Sequence, residues 1–262
     1  MEDYLKGVVP SEIVPSWRMD AIKAQAVAAR TYATYHRNGY RSSGYDVTDD
    51  TRTQVYRGFS AETAATNRAV SETAGEVVTY AGKPIDALFH SSGGGFTENS
   101  ENVWGSVIPY LRGVKEESST YLMTPWKKTM TMASFTKSLE NAGYKIGDLK
   151  SIKLSHLKKG EANHSSDRGI SGRVKSVVFV GKKGRATVSG ERLQRLYGLD
   201  STLFDISAKG KELTITGYGY GHGLGLSQWG AEAMAEKHGD GKNYYKAILS
   251  HYFTGTKIEK IY

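Results

Sequence analysis

Residues 8–37, VVPSEIVPSWRMDAIKAQAVAARTYATYHR, set one carboxylate, Glu12, between Pro10 and Pro15 just ahead of an alanine-rich segment. Residues 20–36 contain neither Gly nor Pro, and five alanines fall between positions 21 and 29. Ala has the highest intrinsic helix propensity, so this composition predicts a helix over 20–36. Ile22, Ala26, Ala29 and Ala33 recur at helical spacing and define one continuous apolar face. Small residues on the flanks let neighbours approach from several sides, so the fold is expected to be built around this helix. Ser16 is the expected N-cap, without the Glu or Gln three positions on that would complete a capping box.

Lys23 and Arg30 stand on a second stripe of the same helix. Buried cations need partners, and Glu12 lies close in sequence to the positive end of the helix dipole. Residue chemistry leaves two readings open: a structural ion pair or solvated face, or a functional site. If Glu12 is to be protonated, Lys23 and Arg30 must face substrate or another carboxylate, because an adjacent cation favours the ionised form.

Residues 217–231, GYGYGHGLGLSQWGA, place glycine at every other position from 217 to 225. As an extended strand this would leave one face as bare backbone and project Tyr218, Tyr220, His222 and Leu224 from the other, giving either a surface for close packing on the Ala-rich helix or a flat cleft floor lined by tyrosines. Ser227 then reads as the N-cap of a helix. The dinucleotide fingerprint fails here, because the glycine required at the sixth position is replaced by His222, Leu224 or Leu226. A second glycine-rich stretch, His90-Ser91-Ser92-Gly93-Gly94-Gly95, follows an expected hairpin of strands at 76–80 and 85–89. It reads as a flexible turn or as a ligand-facing loop with His90 and Ser91 at its rim.

The runs PSEIVPSWRMDAIKAQAVAARTYA and GYGYGHGLGLSQWGA, about 200 residues apart and in this order, resemble the family of stage II sporulation protein D and the amidase enhancers. The likeness extends over most of the chain. It implies a peptidoglycan lytic transglycosylase, which cleaves the MurNAc–GlcNAc bond of glycan strands and leaves 1,6-anhydro-MurNAc ends. Glu12 would be its general acid and base. With glycan as substrate, Lys23, Arg30, His90, Ser91, Gly94, Tyr218, Tyr220, His222 and Gln228 are the candidates for binding it. The family's enhancer branch offers a different class, a non-catalytic wall-binding activator of an N-acetylmuramoyl-L-alanine amidase. Some members bind zinc through a cysteine in the His-Ser loop, where this chain has Gly93, and many have cysteines where it has Thr48 and Thr53. Neither a metal nor any other cofactor is therefore expected. The expected partners are peptidoglycan glycan strands and a cell-wall amidase or other sporulation wall hydrolases.

The resembling proteins are exported, so the protein is expected outside the cytoplasm, in the wall or held to the membrane by a segment that this sequence does not contain. The 262 residues hold no cysteine, which excludes disulfides and thiolate chemistry. The net charge of +8 favours an anionic partner without choosing one. Nucleic acid is not expected, and no apolar run reaches the ~18 residues of a membrane-spanning helix. Asp46, Asp49, Glu98 and Glu101 are the other carboxylates to weigh against Glu12. The aspartates at 46–50 lack the glycine and closing glutamate of a calcium loop. Composition shifts to lysine-rich alternating stretches after residue 114. The expected architecture is α+β, with helices and antiparallel strands around the Ala-rich helix. Residues 1–114 and 213–262 form the catalytic body, with 115–212 a basic inserted α/β lobe.

Overall fold

The computed structural model describes residues 1–117, 124–239 and 243–262, and residues 118–123 of the expected lobe lie outside it. The architecture is α+β, with eight α-helices and mainly antiparallel sheets among the described residues. Two compact units are formed: residues 1–90, 109–112 and 225–262, and residues 91–108 and 113–224. Charge is divided unevenly. The first unit has 16 Lys and Arg against 15 Asp and Glu, the second 19 against 12, so the second carries almost all of the positive excess. No helix among the described residues is long and apolar enough to cross a membrane.

The first unit is organised around the helix Met19–Tyr35. Ile22, Ala26 and Ala29 are wholly buried and Ala33 nearly so, as the apolar spacing requires. Helices Glu2–Glu12, Ala64–Glu72, Gln228–His238 and Tyr245–Tyr252 pack on it, together with strand Glu76–Tyr80. Alanine leaves room for these neighbours on almost every side. Its N-cap is Arg18 rather than Ser16, without a side-chain cap. Other partners serve this end: Glu232 accepts the Arg18 N–H at 2.9 Å, and Asp20 accepts that of Tyr245 at 3.1 Å. Both acceptors are carboxylates at a helix N-terminus, where the dipole favours negative charge.

The first helix, Glu2–Glu12, runs through Pro10. Proline removes one N–H from the ladder, yet it lies in the last turns, and the Ile13 N–H still closes on the Val9 carbonyl at 3.1 Å. Glu12 is thus a helix-end residue rather than a turn residue. The expected hairpin is also different. Strand Glu76–Tyr80 pairs with only Lys83–Pro84 on one side and with Lys257–Lys260 on the other, while Phe89–His90 pairs in parallel with Leu226–Ser227.

The second unit contains two three-stranded antiparallel sheets. One has the order Trp126–Thr131, Glu212–Gly217, Phe204–Lys209, and the other Leu149–Lys153, Ser176–Gly181, Arg185–Ser189. Burial alternates along Ser176–Gly181 and Glu212–Gly217, the period-two pattern of strands with one face on a core. Helices Met132–Asn141 and Gly190–Tyr197 complete that core through Phe135, Leu139, Leu193 and Tyr197, with the Phe135 and Tyr197 rings stacked at 4.7 Å.

Candidate functional site

Glu12 ends its helix half-buried, and its Oε1 accepts the Val55 N–H at 3.0 Å. That amide comes from an irregular segment laid along the helix. The neighbouring Arg57 N–H bonds to the Gly7 carbonyl, and a Cβ on Gly7 would overlap the Tyr56 ring, so glycine there lets the segment lie close. Gln54 locks the segment from the other side. Wholly buried, it donates from Nε2 to the Ala29 carbonyl of the central helix and accepts the Tyr4 hydroxyl at Oε1, both at 3.1 Å. Burial pushes the Glu12 carboxyl above its ordinary value, and the Val55 amide holds it back in part. Burial, with Glu12 and Tyr32 as further causes, also pushes Tyr4 up to about 12.

Lys23 and Arg30 do not lie against Glu12; both face other carboxylates. Lys23 meets Glu72 at 2.6 Å. The Arg30 side chain is wholly buried and all five of its N–H bonds are occupied, by both oxygens of Glu2, Thr73 Oγ1 and the Val70 and Glu76 carbonyls. A guanidinium so enclosed has no donor left for a sugar, so the expected substrate-binding role of Arg30 gives way to a structural ion pair. Lys23 keeps 15% of its side chain exposed and is committed to Glu72.

His90 and Gln228 are brought together in the first unit. His90 stands opposite Ser227 in the short parallel bridge, and Gln228 opens the following helix, which Ser227 caps by accepting the Gly230 N–H at 3.2 Å. The Gln228 amide reaches Gln25 on the central helix. Both side chains are largely buried.

Ser91, Gly94, Tyr218, Tyr220 and His222 belong to the second unit. Ser92 and Tyr220 exchange two backbone hydrogen bonds, joining the His-Ser loop to the glycine-rich segment. That segment is not a flat strand. Gly219, Gly221, Gly223 and Gly225 all have φ between 67° and 94°, a left-handed region that side chains rarely enter. The alternation of glycine therefore codes a repeatedly turning loop. Two of its glycines also permit close approach: a Cβ on Gly223 would overlap the buried Arg173 guanidinium, and one on Gly219 would lie 2.7 Å from the Ser92 carbonyl oxygen. Tyr220 is 56% exposed, and Lys159 lies over the Tyr218 ring at 4.7 Å. Gly93, at the place of the zinc-binding cysteine, packs where a Cβ would overlap the Glu116 carboxyl, which itself accepts the Gly95 N–H.

Among the competing acids, Glu98 is fully buried and accepts from Asn99, Asn102, Ile170 and Ser171, so it fastens the second unit together. Asp46 accepts the Asn38 N–H on the surface. Gln54, Val55 and Tyr4 were not visible as site residues in the sequence. Gln54 and Val55 have only the Gln54-Val55-Tyr56 triplet of an irregular loop as a local signal, and Tyr4 lies on the first helix.

The fold and site define an α+β protein built on an alanine-rich helix, with one half-buried carboxyl group set for protonation at the end of the helix beside it. Comparison with known proteins identifies its kind. Residues 1–80 match the family described as Stage II sporulation protein, and residues 95–225 match a Domain of unknown function, DUF8618. The chain is 34% identical over 280 residues to stage II sporulation protein D of Bacillus subtilis, covering 99% of this chain and 74% of the relative. It is 33% identical over 294 residues to the amidase enhancer of the same organism, covering 97% of this chain and 40% of the relative. An uncharacterized protein of Brachyspira hyodysenteriae is 35% identical over 260 residues, covering 98% of this chain. The chain spans 66% of that relative's length and 40% of the enhancer's. The chain belongs to the stage II sporulation protein D and amidase enhancer family.

Proposed function

We propose that the protein acts in the bacterial cell wall during sporulation as a lytic transglycosylase of peptidoglycan glycan strands, with Glu12 as its acid and base. The observation that carries this reading is the state of Glu12, whose surroundings favour the protonated form through burial while one backbone N–H fixes its orientation. A carboxyl group whose pKa is raised keeps its proton to higher pH than an ordinary carboxylate, as a general acid must. The Glu12 proton passes to the glycosidic oxygen as the C1–O bond of N-acetylmuramic acid breaks. The 6-hydroxyl of the same sugar then bonds to C1, and its proton returns to Glu12. No water is consumed, and one carboxyl group serves where glycoside hydrolysis needs two. His90 and Gln228, in the same unit, are proposed to orient hydroxyl and acetamido groups.

A second reading is supported by the relative named amidase enhancer: the protein binds the wall and activates an amidase without chemistry of its own. Mass spectrometry of soluble products from purified glycan strands separates the two. The transglycosylase predicts 1,6-anhydro-muramyl ends with the wild type and their loss with Glu12→Gln. Equal product from both proteins removes Glu12 as the acid. Absence of product, with wall binding and stimulation of an added amidase in both, replaces the enzyme by the enhancer.

A further inference from the structure

We infer that the second unit carries a carbohydrate-binding subsite of its own, a cleft of about 390 Å³ in which Trp104 is the platform for a pyranose ring. The inference rests on glycan as the substrate class proposed above, but not on Glu12 or on bond cleavage.

Trp104 closes the short helix Ser100–Trp104, and the chain turns away at Gly105 with φ 80°. This helix is held firmly. Asn102 donates to Glu98 at 2.9 Å, and Glu98 is anchored in turn by Ile170 and Ser171. The indole is nevertheless 49% exposed, on a rigid support with nothing of its own to cover it completely. Exposure alone marks no site, but an exposed indole at the wall of a cleft that also holds polar side chains offers a ligand a flat stacking surface.

The groups around it match a sugar. The His222 ring lies 5.7 Å from the indole, and its Nδ1 accepts the Leu224 N–H at 3.0 Å. Helix Gly190–Tyr197 lines the cleft with Glu191, Gln194 and Arg195, which share one helical face at i, i+3 and i+4. The C–H face of a pyranose carries slightly positive hydrogens and fits the electron-rich face of an indole. Its hydroxyl and acetamido groups need donors and acceptors together, which Gln194, Glu191, Arg195 and His222 supply. Glu191 stands 3.9 Å from Arg195, so the cleft offers both signs of charge, and a purely apolar ligand would bury these polar groups without partners. One aromatic wall with a few convergent polar groups is the composition expected of a small-ligand cleft.

The test uses the full chain and N-acetylglucosamine tetramer as the probe. The indole N–H resonance of Trp104 is assigned from the Trp104→Phe spectrum and followed during titration, with calorimetry on wild type, Trp104→Ala, Trp104→Phe and Gln194→Ala. The expected result is a saturable shift of the Trp104 signal, loss of affinity on the order of tenfold for Trp104→Ala, and near-wild-type affinity for Trp104→Phe. Gln194→Ala, a change at a half-buried helix position outside the hydrophobic core, is expected to weaken binding severalfold. A Trp104 signal that does not move at saturating tetramer, or affinity unchanged in both alanine variants, overturns the subsite. Trp104-dependent binding by a protein that releases no anhydro product leaves the subsite standing and removes the transglycosylase. Anhydro product from a protein whose Trp104 signal is unmoved does the reverse.

Discussion

Replacing Arg30 by methionine removes a wholly buried guanidinium and leaves a side chain of similar length. Two of its hydrogen bonds go to the Glu2 carboxylate, at 2.6 and 3.0 Å, and three to Thr73, Val70 and Glu76 at 3.1–3.3 Å. All five are donated by the charged guanidinium and contribute roughly 1.5–3 kcal/mol each, which bounds the loss from above. Glu2 keeps 26% of its side chain exposed and recovers hydration once the cation is gone, whereas the Val70 and Glu76 carbonyls stay inside. The net cost expected for breaking such a buried pair is about 3–5 kcal/mol. Thermal unfolding of Arg30→Met is thus expected to fall by roughly 10 °C. Lys23→Met, which breaks a pair whose Glu72 partner is 37% exposed, is expected to cost about 1 kcal/mol or less. Glycan binding by the folded Arg30→Met protein, measured by co-sedimentation with purified strands, is expected to match the wild type. Unchanged melting together with lost glycan binding would refute the structural reading and restore Arg30 to the substrate.

Two further outcomes follow from Glu12 and from the turning glycine loop. Because burial raises the folded-state pKa of Glu12 above the ordinary 4.5, the favourable contribution of its proton is complete below that pH and is lost as pH rises through the folded value. Glu12→Gln should therefore match wild-type stability near pH 4 and gain on it toward pH 7. Melting curves across that range test this, and a gap that narrows with rising pH would contradict it. Gly223→Ala combines a φ of 83° with overlap on the buried Arg173 guanidinium and should cost about 2 kcal/mol or more, while Gly210→Ala, at φ 60° with open space, should cost about 1 kcal/mol. Equal melting shifts for the two would remove the Arg173 contact as the reason for glycine at 223.

Much of the fold was legible because its signals are local. The alanine content and apolar spacing of 20–36 located the central helix to within a residue at each end. Helix Gly190–Tyr197, strand Glu76–Tyr80 and the Ser227 cap were likewise readable from propensity, alternation and capping chemistry. The lysine-rich composition after residue 114 also drew attention to the part of the chain where the positive excess resides. The short helix Ser100–Trp104 and strands Arg185–Ser189, Phe204–Lys209 and Lys257–Lys260 were not anticipated, since few residues in each leave little periodicity to read.

The sequence by itself determined the helical centre and the family motifs, because propensity and motif spacing depend on residues close together in the chain. Only the tertiary structure decided what those residues touch. Arg30 turned out to pair with Glu2 and Glu12 with the amide of Val55, partners 28 and 43 positions away. Phe89–His90 found Leu226–Ser227 rather than its neighbouring strand. The alternate glycines became a turning loop instead of a floor, because extended and left-handed glycine are nearly equal in local energy and only contacts such as Arg173 against Gly223 select between them. Pairing, burial and the protonation they impose are set by distant segments, and no local pattern encodes them.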